Sequence, residues 1–186
     1  KSYKTLDTYM DLSVLLIPTV YLISFFFAVN AKDALDMFFI YCSYFMLYKL
    51  TSELSARNEK YKNIFINLLI ASTFILSFAS MLNVAGLVDI NGAFVGKRLF
   101  GLYQYPNTTA SVLGVGIILS LNKLIKEENT KKAAIYQMVL TALISSFIFT
   151  LSRGGYLVLA GVLLLNFLLI KARSKLKMLM SIFISF

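Results

Sequence analysis

Residues 133–170 read AAIYQMVLTALISSFIFTLSRGGYLVLAGVLLLNFLLI, thirty-eight positions with a single formal charge, Arg153. The stretch divides into two apolar runs, 133–151 and 154–170, each close to the length at which a helix crosses the hydrocarbon core of a bilayer. Neither run alternates with period two, and a barrel strand would be only about half as long. The reading is two membrane helices joined by a turn so short that Arg153 sits at or just below the interface, between apolar neighbours. A cation held that close to lipid usually has a partner or a function.

The same pattern extends over the whole chain. Of its 186 residues 59% are hydrophobic and 15% charged, with a mean hydropathy of +0.77, well above what a water-soluble domain of this size needs for a core. Further apolar runs cover 12–29, 34–48, 64–88 and 106–121, and another starts near Met178. The expected fold is all-α, a polytopic membrane bundle of six complete spans and a truncated seventh, forming one transmembrane domain over residues 1–186. There is no internal repeat, no linker and no signal peptide with a cleavage site. The sequence begins at Lys1 without methionine and stops at Phe186 inside the run MLMSIFISF, and the expectation is a piece of a longer chain.

A net charge of +9 raises the question of nucleic acid, but the cations cluster in short groups between apolar runs, where they set topology. One alternating set of loops holds fourteen of them: Lys1 and Lys4, the groups at 49–62 and 123–132, and the group at 171–177. The other set holds four: Lys32, Lys97, Arg98 and Arg153. This bias places the N-terminus in the cytoplasm and the stretch KRLFGLYQYPNTTA, residues 97–110, outside. Cations there run against the bias. Anchoring to lipid phosphates is their commoner role, since long cationic side chains snorkel to the interface. Arg153 shifts the balance toward a function.

The helices starting near Pro106 and Gly154 run in the same direction, so both present their N-termini at the outer face. Pro106 suits a first helical position, and Asn107, Thr108 and Thr109 are candidate caps for its free amides. Helix N-termini bind phosphate through free N–H groups and partial positive charge. Two arginines and two helix N-termini on one face describe an anion site.

At these residues the sequence resembles the O-antigen ligase and polymerase superfamily. RLFGLYQYPN is similar to its Arg-x-x-Gly-x-aromatic-x-x-Pro-Asn signature through Arg98, Gly101, Tyr103, Pro106 and Asn107. LSRGG is similar to its Ser-Arg-small signature through Ser152, Arg153 and Gly154, with one helical hairpin between the two motifs. The resemblance implies a metal-independent membrane glycosyltransferase without a cofactor. It would transfer or polymerise glycan from a polyprenyl-diphosphate donor to a glycan or lipid acceptor, at the outer leaflet of a bacterial plasma membrane. In this family an arginine at each signature contacts the diphosphate, which makes Arg98 and Arg153 the candidate catalytic residues. Gly101, Tyr103, Asn107, Ser152 and Gly154 are the candidate substrate-binding residues. Family members also use a histidine in a large later loop. The sequence contains no histidine, so this stretch alone is expected to be inactive. The alternative is a transporter or flippase for lipid-linked oligosaccharide, which would also gather cations for a diphosphate but usually carries repeats or polar midplane residues.

The remaining features have plainer readings. Tyr105 fits an interfacial aromatic belt. Ala110, Gly114 and Gly116 form a small face suited to helix packing. Asp89 is expected to pair with Lys97 or Arg98. Cys42 is a lone thiol in an apolar run, and Asp33 and Asp36 lack further ligands, so no disulfide or metal centre is expected. Phosphate-binding loops, dinucleotide fingerprints and zinc spacings are absent from the sequence.

Overall fold

The computed structural model describes residues 5–185, the side chains of 5–8 and 173 excepted. Lys1 and Lys4, two cations of the topology count, lie outside the described residues. Among the described residues seven helices and one hairpin follow in order: α1 (Thr5–Phe25), α2 (Ala31–Arg57), α3 (Glu59–Val84), β1 (Phe94–Val95), β2 (Arg98–Leu99), α4 (Pro106–Lys126), α5 (Thr130–Phe149), α6 (Arg153–Leu169) and α7 (Ala172–Ser185). Helix makes up about 80% of the chain. Among the described residues three helices, α3, α4 and α5, are long and apolar enough to cross a membrane. Shorter apolar helical stretches cover Tyr9–Phe25 and Arg153–Leu169.

Helix boundaries depart from the apolar runs for local reasons. Nothing between Ala31 and Arg57 is glycine or proline, so α2 continues past residue 48 through Lys49, Glu53 and Arg57 to Asn58, and its last turns are charged. The run 64–88 is cut short because Gly86, at φ 72°, closes α3 in a Schellman motif. There the Leu87 N–H meets the Leu82 carbonyl, and the Gly86 N–H meets that of Asn83, each at 3.0 Å. The last helix starts at Ala172, ahead of Met178, because lysine, leucine and alanine are good helix formers whether or not they are apolar.

The chain forms two compact units, Lys1–Phe65 and Ile66–Phe186. In the first, α1 and α2 pack antiparallel. Lys49 Nζ donates to Asp11 Oδ2 at 2.7 Å, and Tyr21 stacks on Tyr41 with ring centroids 4.7 Å apart.

In the second unit, α4 and α5 form the centre, with Leu113, Leu121, Leu140 and Leu143 fully buried between elements. Small and hydroxyl residues bring α3 onto this pair. A side chain at Gly116 would overlap Thr73, and Ser77 Oγ lies 2.7 Å from Ser146 Oγ while donating to the Ala142 carbonyl at 2.8 Å. Such contacts are how helices without a hydrophobic driving force between them associate. The hairpin β1–β2 turns at Gly96 (φ 62°) and Lys97, and was not expected from the apolar pattern. Its Leu99 is fully buried, so β2 is seated against α4 and α5.

At the opposite end of α4 the half-buried Lys177 of α7 donates to the carbonyls of Glu127 at 2.8 Å and Ile125 at 3.3 Å. A cation on these last carbonyls satisfies groups the helix leaves unpaired and opposes its dipole. Lys177→Met, which keeps the stem and removes the donors, is expected to cost about 1–2 kcal/mol. Thermal unfolding in detergent measures this, and an unchanged midpoint would show that the two bonds add nothing.

Candidate functional site

The first motif folds back onto the start of α4. Gly101 has φ 64°, and a Cβ there would fall 2.9 Å from Thr109 Oγ1 and Cγ2, so only glycine fits. Thr109 Oγ1 donates to the Phe100 carbonyl at 2.5 Å and holds the loop down. Tyr105 is extended (φ −145°, ψ 112°), as the residue before a proline must be, and Pro106 takes the first helical position.

This register corrects the capping expectation. With Pro106 at the first helical position the cap position falls to Tyr105, which offers no side-chain cap bond. Asn107 and Thr109 lie inside the helix, where their side chains serve other partners, and Thr108 is exposed.

The second motif is a three-residue link between α5 and α6. Leu151 takes the left-handed conformation at φ 48°. Ser152 is the cap of α6: its Oγ accepts the Gly155 N–H at 3.0 Å, and its carbonyl accepts the Tyr156 N–H at 2.9 Å. The N–H groups of Arg153 and Gly154 have no acceptor among the described residues.

The two motifs meet. Ser152 Oγ donates to Asn107 Oδ1 at 2.9 Å, joining the N-terminal turns of α4 and α6 across 45 residues of sequence. Arg98 Nε donates to the Thr150 carbonyl and its Nη2 to the Leu151 carbonyl, both at 3.3 Å. Arg98 therefore faces main-chain oxygens where Asp89 was expected; among the described residues Asp89 forms an ion pair with neither Arg98 nor Lys97. The carbonyl end of α5, two peptide oxygens on one turn, is the stronger local attractor for the fork. Arg153, the first residue of α6, is exposed, and its guanidinium has no hydrogen bond or ion pair among the described residues. Tyr103 and Tyr105 are exposed on the same loop.

Below this junction a cavity of about 590 Å³ lies between α4 and α6. Asn107, Ser152 and Gly154 line its polar end, and Ile118, Leu119, Val158 and Val162 continue it as an apolar groove. The glycines divide in role. Gly155 is packed, since a Cβ there would stand 2.8 Å from Ala110 Cβ, whereas Gly154 and Gly114 would meet nothing within 4 Å and leave the groove open. Of the small face on α4, Ala110 and Gly116 pack between helices as expected, but Gly114 lines the cavity instead. Thr150, Leu151 and Gly155 join the site without a role expected from the sequence, and Thr109 joins it as a loop anchor where a cap was expected. The doubled glycine after Arg153 was the one available signal.

Comparison with protein-family models, with curated proteins and with solved structures finds no match to this chain. The family resemblance accordingly stands on the two motifs.

Gly155→Ala is expected to destabilise the α4–α6 contact by about 1–3 kcal/mol through overpacking, and Gly154→Ala to leave stability nearly unchanged. Ala110→Gly should recover part of the Gly155→Ala loss. Equal melting temperatures for the two alanine variants in detergent would contradict the packing described here.

Proposed function

We propose that this chain belongs to a multi-pass bacterial membrane glycosyltransferase of the O-antigen ligase or polymerase type, acting on a polyprenyl-diphosphate-linked glycan at the outer leaflet. In this reading six helices span the membrane, a seventh is partial, and the N-terminus is cytoplasmic. The observation that carries it is the α4–α6 groove, apolar along its length and polar at one end, with the exposed Arg153 beside that end. That division of polarity matches an amphiphile with an anionic head. From Asn107 to Leu119 the groove follows α4 for about 18 Å at 1.5 Å per residue, a little over half of a hydrocarbon core of about 30 Å, which suits a chain entering from one leaflet.

In the transfer step an acceptor hydroxyl attacks the anomeric carbon, the bond to the diphosphate oxygen breaks, and the diphosphate leaves with the electron pair. Negative charge grows on its oxygens. A guanidinium fork at Arg153, assisted by the free N–H groups of Arg153 and Gly154, stabilises that charge more in the transition state than in the ground state. Asn107 and Ser152 hold the two helix starts in register, Gly101 shapes the loop that carries Tyr103, and Gly154 leaves room for the head group. The hydroxyl proton needs a base that this turn does not supply. The family resemblance assigns that role to a histidine from a later loop.

Two measurements test the reading in the full-length protein. In a Cys42→Ser background, Gly92→Cys should react with a membrane-impermeant thiol reagent in intact cells and Glu128→Cys should not; the reverse pattern removes the outer-leaflet mechanism. Arg153→Ala should lower polymer formation by about 100-fold or more, and Arg153→Lys should restore little of it, because lysine keeps the charge but loses the planar fork. Lys97→Ala, outside both motifs, should be nearly normal. If Arg153→Lys makes polymer at the wild-type level with unchanged expression, Arg153 is an interfacial anchor and the reading fails.

A further inference from the structure

We propose that Arg98 is a positioning residue, one that locks the turn 150–152 by its main chain and thereby aims the start of α6 and Arg153, without itself gripping the diphosphate. The proposal rests on the anion site assigned above and divides the labour of the two arginines there.

Three observations support it. The side-on edge of a guanidinium, Nε with Nη2, is one of the edges that takes two phosphate oxygens at once, and in Arg98 this edge is occupied by the carbonyls of Thr150 and Leu151. Those carbonyls flank Leu151, whose φ of 48° crowds its Cβ against the following carbonyl and persists only where the surroundings over-determine it. The other restraints on the turn come mainly from α5 and α6 themselves: Leu151 N–H to the Ile148 carbonyl at 3.2 Å, Thr150 Oγ1 to that of Phe147 at 2.7 Å, and Tyr156 Oη to that of Ile148 at 2.6 Å. Arg98 comes from the hairpin, an independent element fixed by the buried Leu99. It therefore ties the turn to a second support.

The consequence is directional. Ser152 and Arg153 follow Leu151 immediately, so relaxation of that one residue swings the α6 start away from Asn107 and carries Arg153 with it. Arg153 has no other tether among the described residues.

The test is a rescue by backbone chemistry. Glycine adopts φ near 50° without the Cβ conflict, so Leu151→Gly lets the turn hold its shape unaided. Purified full-length wild type, Arg98→Ala, Leu151→Gly and the Arg98→Ala/Leu151→Gly double variant are compared by melting temperature, by binding of inorganic pyrophosphate and by polymer formation. Arg98→Ala is expected to lower the melting temperature and to weaken pyrophosphate binding and polymer formation at least tenfold. The double variant should return to within about threefold of Leu151→Gly alone in both functional readouts. Arg153→Ala should stay defective whether or not Leu151 is glycine.

If Arg98 instead contacts the diphosphate, no change at Leu151 replaces its charge, and a double variant as defective as Arg98→Ala overturns the proposal. Should Arg98→Ala accumulate too little for assay, Arg98→Lys in the same two backgrounds serves, with a smaller loss and the same recovery expected. If wild type neither binds pyrophosphate nor forms polymer, the proposed function fails, and the melting series decides the clamp by itself: recovery by Leu151→Gly supports it, and no recovery overturns it.

Discussion

A helix that ends away from water leaves carbonyls and amides that the chain itself has to meet, and the turn between α5 and α6 is where this constraint organises the second unit. The carbonyls of Thr150 and Leu151 accept from Arg98, the Gly155 N–H donates to Ser152 Oγ, and the Ser152 hydroxyl in turn donates to Asn107 Oδ1. Arg98 belongs to the hairpin, Asn107 to α4, Gly155 to α6, and Thr150, Leu151 and Ser152 to the link that joins α5 to α6. The hairpin, the first turn of α4 and the start of α6 are thus held together by the need to satisfy a few main-chain atoms. Remove any of the three donors and a buried or half-buried polar group is left without its partner, which costs more than a hydrogen bond contributes when made.

Close packing and open space follow from the same small residues. Gly155 brings α6 against Ala110 at the junction, and Gly116 admits Thr73 on the far side of α4. Gly114 and Gly154 are equally small but face nothing, and the groove exists where their side chains are missing. The polar end of that groove is built by residues already engaged in the junction. A change that loosens the junction therefore also deforms the place where an anionic head would rest. The two arginines illustrate how placement decides chemistry: Arg98 has its fork on two peptide oxygens, while Arg153, the first residue of α6, is exposed.

Local signals in the sequence were sufficient for part of this. Hydropathy over a span of residues depends only on the residues in it, and the helical class, the start of α4 at Pro106 and the short link before Arg153 were all legible. Helix ends were less legible, because α2 runs on through charged residues to Arg57, beyond the end of its apolar run, and Gly86 closes α3 inside one.

Partner choice was decided by the tertiary structure. Asn107 reads as a cap by its neighbours, but with Pro106 at the first helical position the cap falls on Tyr105, and Ser152, 45 residues away, donates to the Asn107 side-chain oxygen. Arg98 reads as a partner for the nearby Asp89, yet it donates to carbonyls more than 50 residues on. The left-handed Leu151 and the division of Gly114 from Gly116 leave no trace in composition, because a residue's conformation and the space beside it depend on what the rest of the chain brings there. The sequence by itself determined which segments are helical and where cations fall between them. Only the folded chain decided which polar atoms those cations meet, since hydrogen-bond partners are selected by distance and direction in three dimensions.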